Sequence, residues 1–178
     1  MAASDPNLRS DSLPAEGPGL LSPSALDERL DEEIGRAERH GTQLSCLLLV
    51  IDDLEEMSRE HGTELPEQTL AYVGGALRRE LRRFDRIGRP SRDELVIVLP
   101  GADGPRGEMV ARRVLDRMRT IKLEADGTRR PLRVSVGLAA WRSDSTTDDL
   151  LARARAATRV RNGENGANGV HSPAPPAR

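Results

Sequence analysis

A chain of 178 residues, 37% hydrophobic and 31% charged, has room for one ordinary domain with polar ends. Its formal charge of −2 provides no net field for nucleic acid or an anionic membrane, and neither is expected as a partner. A single cysteine, Cys46, excludes an internal disulfide and a thiolate metal cluster; it sits in an apolar run and reads as a small core residue. No apolar run reaches the ~18 residues of a spanning helix, and no basic segment followed by an apolar stretch opens the chain. A cytoplasmic setting is therefore expected. Tyr72, Phe84 and Trp141 are the only aromatics, so the core has to be built from Leu, Val, Ile and Ala.

Residues 1–21 are rich in Pro, Gly, Ser and Asp and read as a disordered arm, residues 22–162 as the domain, and residues 163–178 as a second disordered tail. Ser24 is placed to cap a helix carrying Leu26, Leu30, Ile34 and Ala37 and ending at Gly41. Leu44 to Ile51 is an almost unbroken apolar run, as a central strand buried on both faces requires. A short polar helix spans Asp52 to His61, and a longer one starts at Pro66 with Leu70, Val73, Leu77 and Leu81 on one face. Arg86-Ile87-Gly88 and Glu94 to Leu99 form a hairpin around Pro90-Ser91-Arg92-Asp93. A helix from Pro105 to Leu123 uses Met109, Val110, Val114 and Met118, with both methionines expected in the core. Leu132 to Ala139 alternates as a strand, and Thr146 or Thr147 caps a last helix through Leu150, Leu151 and Ala154. His40 and His61 read as helix-end residues, and His171 falls in the tail. The order βααββαβα implies an α/β (α+β) fold with a central mixed sheet flanked by helices.

Three stretches in this order, Leu47 to Gly62, Phe84 to Gly101 and Leu132 to Ala139, resemble the GGDEF domain of diguanylate cyclases. Ser91-Arg92-Asp93-Glu94-Leu95 stands where the family has Gly-Gly-Asp-Glu-Phe. The resemblance runs from about Ala25 to Arg161 and implies a nucleotidyl-cyclase-like, palm-type sheet. Active members join two GTP molecules with divalent metal ions held by acidic side chains. Here the family's Asp-x-Asp-x-Phe-Lys falls on Val50-Ile51-Asp52-Asp53-Leu54-Glu55, so Val50, with no lone pair, takes the first ligand position. Ser58 takes the place of the guanine-reading asparagine and Glu67 that of its helper aspartate. Arg92 fills space that a glycine would leave open to the triphosphate. Asp93 and Glu94 remain as vestigial acids, Asp93 as the surviving ligand. No catalytic residue, no metal and no cofactor is expected.

The resemblance also implies an allosteric product site, Arg-x-x-Asp, which here reads Arg82-Arg83-Phe84-Asp85. An arginine donates bidentately to guanine O6 and N7 or to a phosphate, and a carboxylate accepts from N1–H and the 2-amino group. Arg113 matches the family's second arginine, with Arg112 and Arg78 as further candidates. The expected function is that of a catalytically inactive cyclic di-GMP receptor. Its output would pass through an unidentified protein partner or a change of association such as a homodimer. The competing readings are a nucleotide-independent scaffold and a weak cyclase or GTP-binding module.

Overall fold

The computed structural model describes residues 19–125, 127–159 and 170–171. Strand β1 (Leu20–Leu21) leads into helix α1 (Pro23–His40), then β2 (Leu44–Ile51), α2 (Leu54–His61) and α3 (Glu64–Glu80). After these come β3 (Arg86–Gly88), β4 (Glu94–Pro100), α4 (Gly104–Arg119) and a separate hairpin of β5 (Lys122–Ala125) and β6 (Thr128–Pro131). The chain continues through β7 (Val134–Ala140), α5 (Thr147–Arg159) and β8 (Val170–His171). The six-stranded sheet has the order β1-β3-β4-β2-β7-β8 and is mixed, as the sequence predicts. β2 lies antiparallel to β4 and to β7, whereas β1 with β3 and β7 with β8 are parallel.

Alternation in the inner strands builds two cores. Leu47, Leu49, Ile51, Leu95, Ile97 and Leu99 point to the face covered by α2, α3 and α4. Cys46, Leu48, Val96 and Val98 point to the face covered by α1 and α5. Helices thus cover both faces of the sheet, and the inner strands are apolar on both sides for that reason. Cys46 is buried, and desolvation pushes its thiol up to about 12. Gly41 ends α1 in the left-handed conformation at φ 61°, which glycine adopts without a Cβ clash. At the start of α5 the Thr146 hydroxyl accepts from Asp149 N, and Asp149 Oδ2 accepts from Thr146 N, a reciprocal cap that selects Thr146 over Thr147.

Several expectations are corrected. Leu20 and Leu21 lie inside the expected arm, yet they pair with Ile87 and Gly88, and Leu20 is buried against Gly74. The remainder of that arm, residues 1–18, lies outside the described residues. Val170 and His171, within the expected tail, pair with Val136 and Gly137. The cap of α1 is Ser22, whose hydroxyl accepts from Ala25 N, rather than Ser24. α3 begins two residues before Pro66. The helix expected to reach Leu123 stops at Arg119, and the following residues form the β5–β6 hairpin, with Gly127 at φ 71° in its turn. Met118 is buried, but Met109 is 64% exposed. The buried face of α4 is Gly107, Ala111, Val114, Leu115 and Met118, and Met109 lies about 200° around the helix from Ala111.

Gly137 marks the tightest contact of helix with sheet. A Cβ there would meet the Ala154 carbonyl oxygen at 2.1 Å and Thr158 N at 2.9 Å. Backbone cannot yield as a side-chain tip does, so Gly137→Ala should lower stability by about 2 kcal/mol or more. Chemical denaturation of the two proteins measures the difference.

Candidate functional site

The register of β2 with β4 defines two ends of the sheet. At one end Val50 faces Glu94 across the strands, with Asp52 and the Ser91-Arg92-Asp93 turn just beyond. At the other end Leu44 faces Pro100, and the Arg82–Asp85 turn leads into β3. The residues singled out by sequence divide between these ends.

At the Val50 end, Val50 packs against the α1 and α5 core, and its cross-strand partner Glu94 is held by an arginine from α5. Arg155 Nε donates to Glu94 Oε1 at 3.0 Å, and Arg155 Nη2 donates to Oε2 at 2.9 Å. Of the two acids in the turn, Glu94 is therefore the one that shares a position with Val50. Asp93 accepts instead from the Ser91 hydroxyl at 3.2 Å. A divalent cation needs several free oxygen ligands. Valine offers none and Glu94 is already paired with a guanidinium, so this donor set does not fit a metal ion. Among the described residues no group of three or more His, Cys, Asp or Glu side chains is placed to hold one.

Arginines also engage Ser58 and Glu67, the residues at the positions that the resemblance assigns to base recognition. Arg92 Nη2 donates to the Ser58 hydroxyl at 3.4 Å. Arg89, 2% exposed, grips Glu67 with two hydrogen bonds of 2.9 Å and also donates to the Arg92 carbonyl. The hydrogen bonds from Arg89 hold the Glu67 carboxyl below the ordinary range. Asp52 accepts from Ser135 at 3.1 Å, but burial outweighs that bond and raises its pKa. Arg133 binds Asp53 and lies near Glu56. Sequence reading missed Arg89, Arg133 and Arg155 as partners, because 22, 80 and 61 positions separate them from the acids they meet.

At the opposite end, Asp85 Oδ2 accepts from Arg82 N at 2.8 Å, closing a turn in which Asp85 N also donates to the Arg82 carbonyl. Burial raises the Asp85 pKa, opposed by that hydrogen bond and by the charges of Arg82, Arg113 and Arg86. Arg113 comes from α4 and is anchored on the end of α3, where Nη2 donates to the Glu80 carbonyl at 2.5 Å. Arg112 and Arg113 line a shallow groove with Met109, Asp116, Arg117 and Glu80. Asp85 is thus held by the Arg82 backbone amide and lies within the field of Arg113, while the groove of Arg112 and Arg113 is lined by neither Arg82 nor Asp85. Arg78 is not in this groove; its guanidinium lies over Gly19, where a Cβ would meet it at 2.7 Å.

The Arg89–Glu67 pair is testable through pH. A carboxyl whose folded pKa is lowered contributes stability that is complete above its unfolded pKa and is lost as pH falls through the folded one. Wild-type stability should therefore fall in acid partly through Glu67, and Glu67→Gln should flatten that part of the curve. Arg89→Ala should cost about 1–3 kcal/mol at neutral pH, since buried hydrogen-bond partners lose their donor. Thermal melts from pH 3 to 7 check both outcomes.

Comparison with known proteins matches this geometry to one family. Diguanylate cyclase DgcP of Pseudomonas aeruginosa is 27% identical over 136 residues, 76% of this chain and 20% of that protein. Diguanylate cyclase DosC of Escherichia coli is 30% identical over 133 residues, 74% of this chain and 29% of that protein. The chain therefore matches between about a fifth and three tenths of the length of these relatives. Among solved structures, diguanylate cyclase SiaD of Pseudomonas aeruginosa, in complex with its activator SiaC, superposes with a TM-score of 0.77 at 26% identity, covering 85% of this chain and 58% of that one. The GGDEF domain of DgcB from Caulobacter crescentus, in complex with c-di-GMP, has the same fold with a TM-score of 0.77 at 21% identity, covering 97% of this chain and 96% of that one. The family described as diguanylate cyclase, GGDEF domain, matches residues 18–168, and the chain belongs to that family.

Proposed function

We propose that this GGDEF domain binds cyclic di-GMP and does not synthesise it. The observation that carries the reading is the turn in which the half-buried Asp85 carboxylate sits in the field of Arg82, Arg113 and Arg86. One oxygen of Asp85 is taken by Arg82 N, which fixes the carboxylate and leaves the other for a guanine N1–H or 2-amino group. Arg82 reads O6 and N7 of the base, and Arg113 meets a phosphate, with Arg112 adding positive potential. The relatives' activity needs metal ions between two acids. Val50 and the Glu94–Arg155 pair stand against that here, and Arg92 on Ser58 stands against an open base site.

Binding then has to be passed on, and the outlet we favour is a protein contact or a change of association. SiaD, a neighbour in fold, is solved with a protein activator, so the fold is compatible with such contacts.

Calorimetry with cyclic di-GMP tests the reading. Arg82→Ala should weaken binding roughly tenfold to hundredfold, the loss of one bidentate contact of about 1–3 kcal/mol. Asp85→Ala should weaken it too and narrow the preference over cyclic di-AMP, whereas Asp93→Asn should leave it unchanged. Since the ligand donates to an ionised Asp85, affinity should be full above the Asp85 pKa and lost as pH falls through it. Burial raises that pKa, so the loss begins at a higher pH than for an ordinary aspartate. No binding at tens of micromolar would leave a nucleotide-independent scaffold.

With GTP and Mg²⁺ or Mn²⁺ the purified protein should form no cyclic di-GMP. Product formation abolished by Glu94→Gln would overturn that half of the proposal.

A further inference from the structure

Glu80 is the last residue of α3, two positions before Arg82. An acid there meets the negative end of the helix dipole, so the helix by itself disfavours it. Two arginines of α4, one turn apart, supply the charge that holds it. Arg113 Nε lies 3.8 Å from Glu80 Oε2, and Arg117 Nε lies 3.9 Å from Oε1. The carboxylate is thus shared between two cations, one to each oxygen.

Both distances exceed hydrogen-bond range, so the attraction is Coulombic alone. Arg117 Nε is buried and, among the described residues, has no hydrogen-bond partner. Its Nη1 reaches only the Thr120 hydroxyl, at 3.4 Å. Arg113 is anchored separately, because its Nη2 donates to the Glu80 carbonyl and not to the carboxylate. With Met109 and Arg112 these residues line an open groove of about 560 Å³. A phosphate makes short, charge-assisted hydrogen bonds to a guanidinium, which this carboxylate does not achieve.

We infer that Glu80 is an internal competitor for the ligand's phosphate, and that Arg117 is a further phosphate-binding residue which Glu80 masks. This rests on the proposed binding of cyclic di-GMP, in which Arg113 meets a phosphate. The incoming phosphate displaces the Glu80 carboxylate, and both guanidinium groups pass from Coulombic to hydrogen-bonded pairing. Arg113 keeps its anchor on the Glu80 carbonyl, so the groove holds its shape. Displacing Glu80 costs part of every binding event, and this residue therefore sets the ligand concentration at which the domain responds.

Calorimetry on the full chain with cyclic di-GMP tests this, using Glu80→Gln, Arg117→Ala and the double variant. Glutamine keeps the shape and the backbone carbonyl, and a thermal melt checks that each variant folds. Glu80→Gln should tighten binding about threefold to tenfold. Arg117→Ala should cost about twofold in the wild type, where the lost contact and the weakened competitor offset each other. Beside Glu80→Gln it should cost about tenfold, because nothing offsets the loss. Removal of a distant negative charge would act equally with and without Arg117, so the non-additivity is the signature of a mask. If the Glu80→Gln effect is absent, or is the same without Arg117, while Arg82→Ala loses the ligand, the competitor is refuted and the receptor reading stands. If the coupling appears but Arg82→Ala binds as the wild type does, Glu80 masks a phosphate site on α4 and the Arg82–Asp85 reading fails. No binding by the wild type or by Glu80→Gln at tens of micromolar refutes both.

Discussion

β2 is the constraint on which the rest of this domain depends. From Ser45 to Val50 it is paired on both edges, and all of its residues but Val50 are buried. A slip of one residue would turn Cys46 and Leu48 into the core of α3 and α4 and send Leu47 and Leu49 the other way. The register that avoids this sets Val50 opposite Glu94 at one end and Leu44 opposite Pro100 at the other. Both ends at which the candidate residues cluster are consequences of that register. Asp52 is delivered where β2 stops, and the Arg82–Asp85 turn lies where β3 begins beside β4.

The two ends use arginine differently. At the Val50 end the guanidinium groups turn inward: Arg155 on Glu94, Arg89 on Glu67, Arg92 on Ser58. Arg89 is nearly inaccessible, and its planar fork satisfies two carboxylate oxygens and a carbonyl at once. A cation from the chain's own α5 thus neutralises an acid that would otherwise carry an unpaired charge in a half-buried position. At the other end Arg82, Arg83, Arg112 and Arg113 stay on the surface, and only Asp85 of the group is drawn toward the interior. The first arrangement completes itself without a ligand, and the second leaves donors facing solvent. That contrast underlies the choice of the Arg82–Asp85 end as the binding end.

Much of the fold was legible in the chain. The run from Leu44 to Ile51, the stop at Gly41, the hairpin around residues 90–93 and a threonine cap at 146 or 147 all rest on local rules: periodicity, a left-handed glycine and a side-chain oxygen facing free amides. The closeness of residues 82 and 85 was legible too, since one turn of chain closes it, but the contact runs through the Arg82 backbone amide and not through its side chain. β1 and β8 were not, because a two-residue strand in parallel pairing has no period to read. The β5–β6 hairpin was masked by the helix before it, although Asp126-Gly127 is a hairpin-turn pair in sequence.

The sequence by itself thus determined the kind of sheet, the helices that cover it, and which residue types stand at the positions of metal and base. What those residues do to one another was decided only by tertiary structure. Met109 could be assigned to the core or the surface only once the neighbours of α4 fixed its rotation. Whether Glu94 was a free acid or a paired one depended on Arg155, 61 positions away, and whether Arg113 stood near Asp85 depended on its anchor at Glu80, 33 positions away. Contacts between residues so distant in sequence form only when packing brings their elements together, and spacing along the chain carries no trace of them.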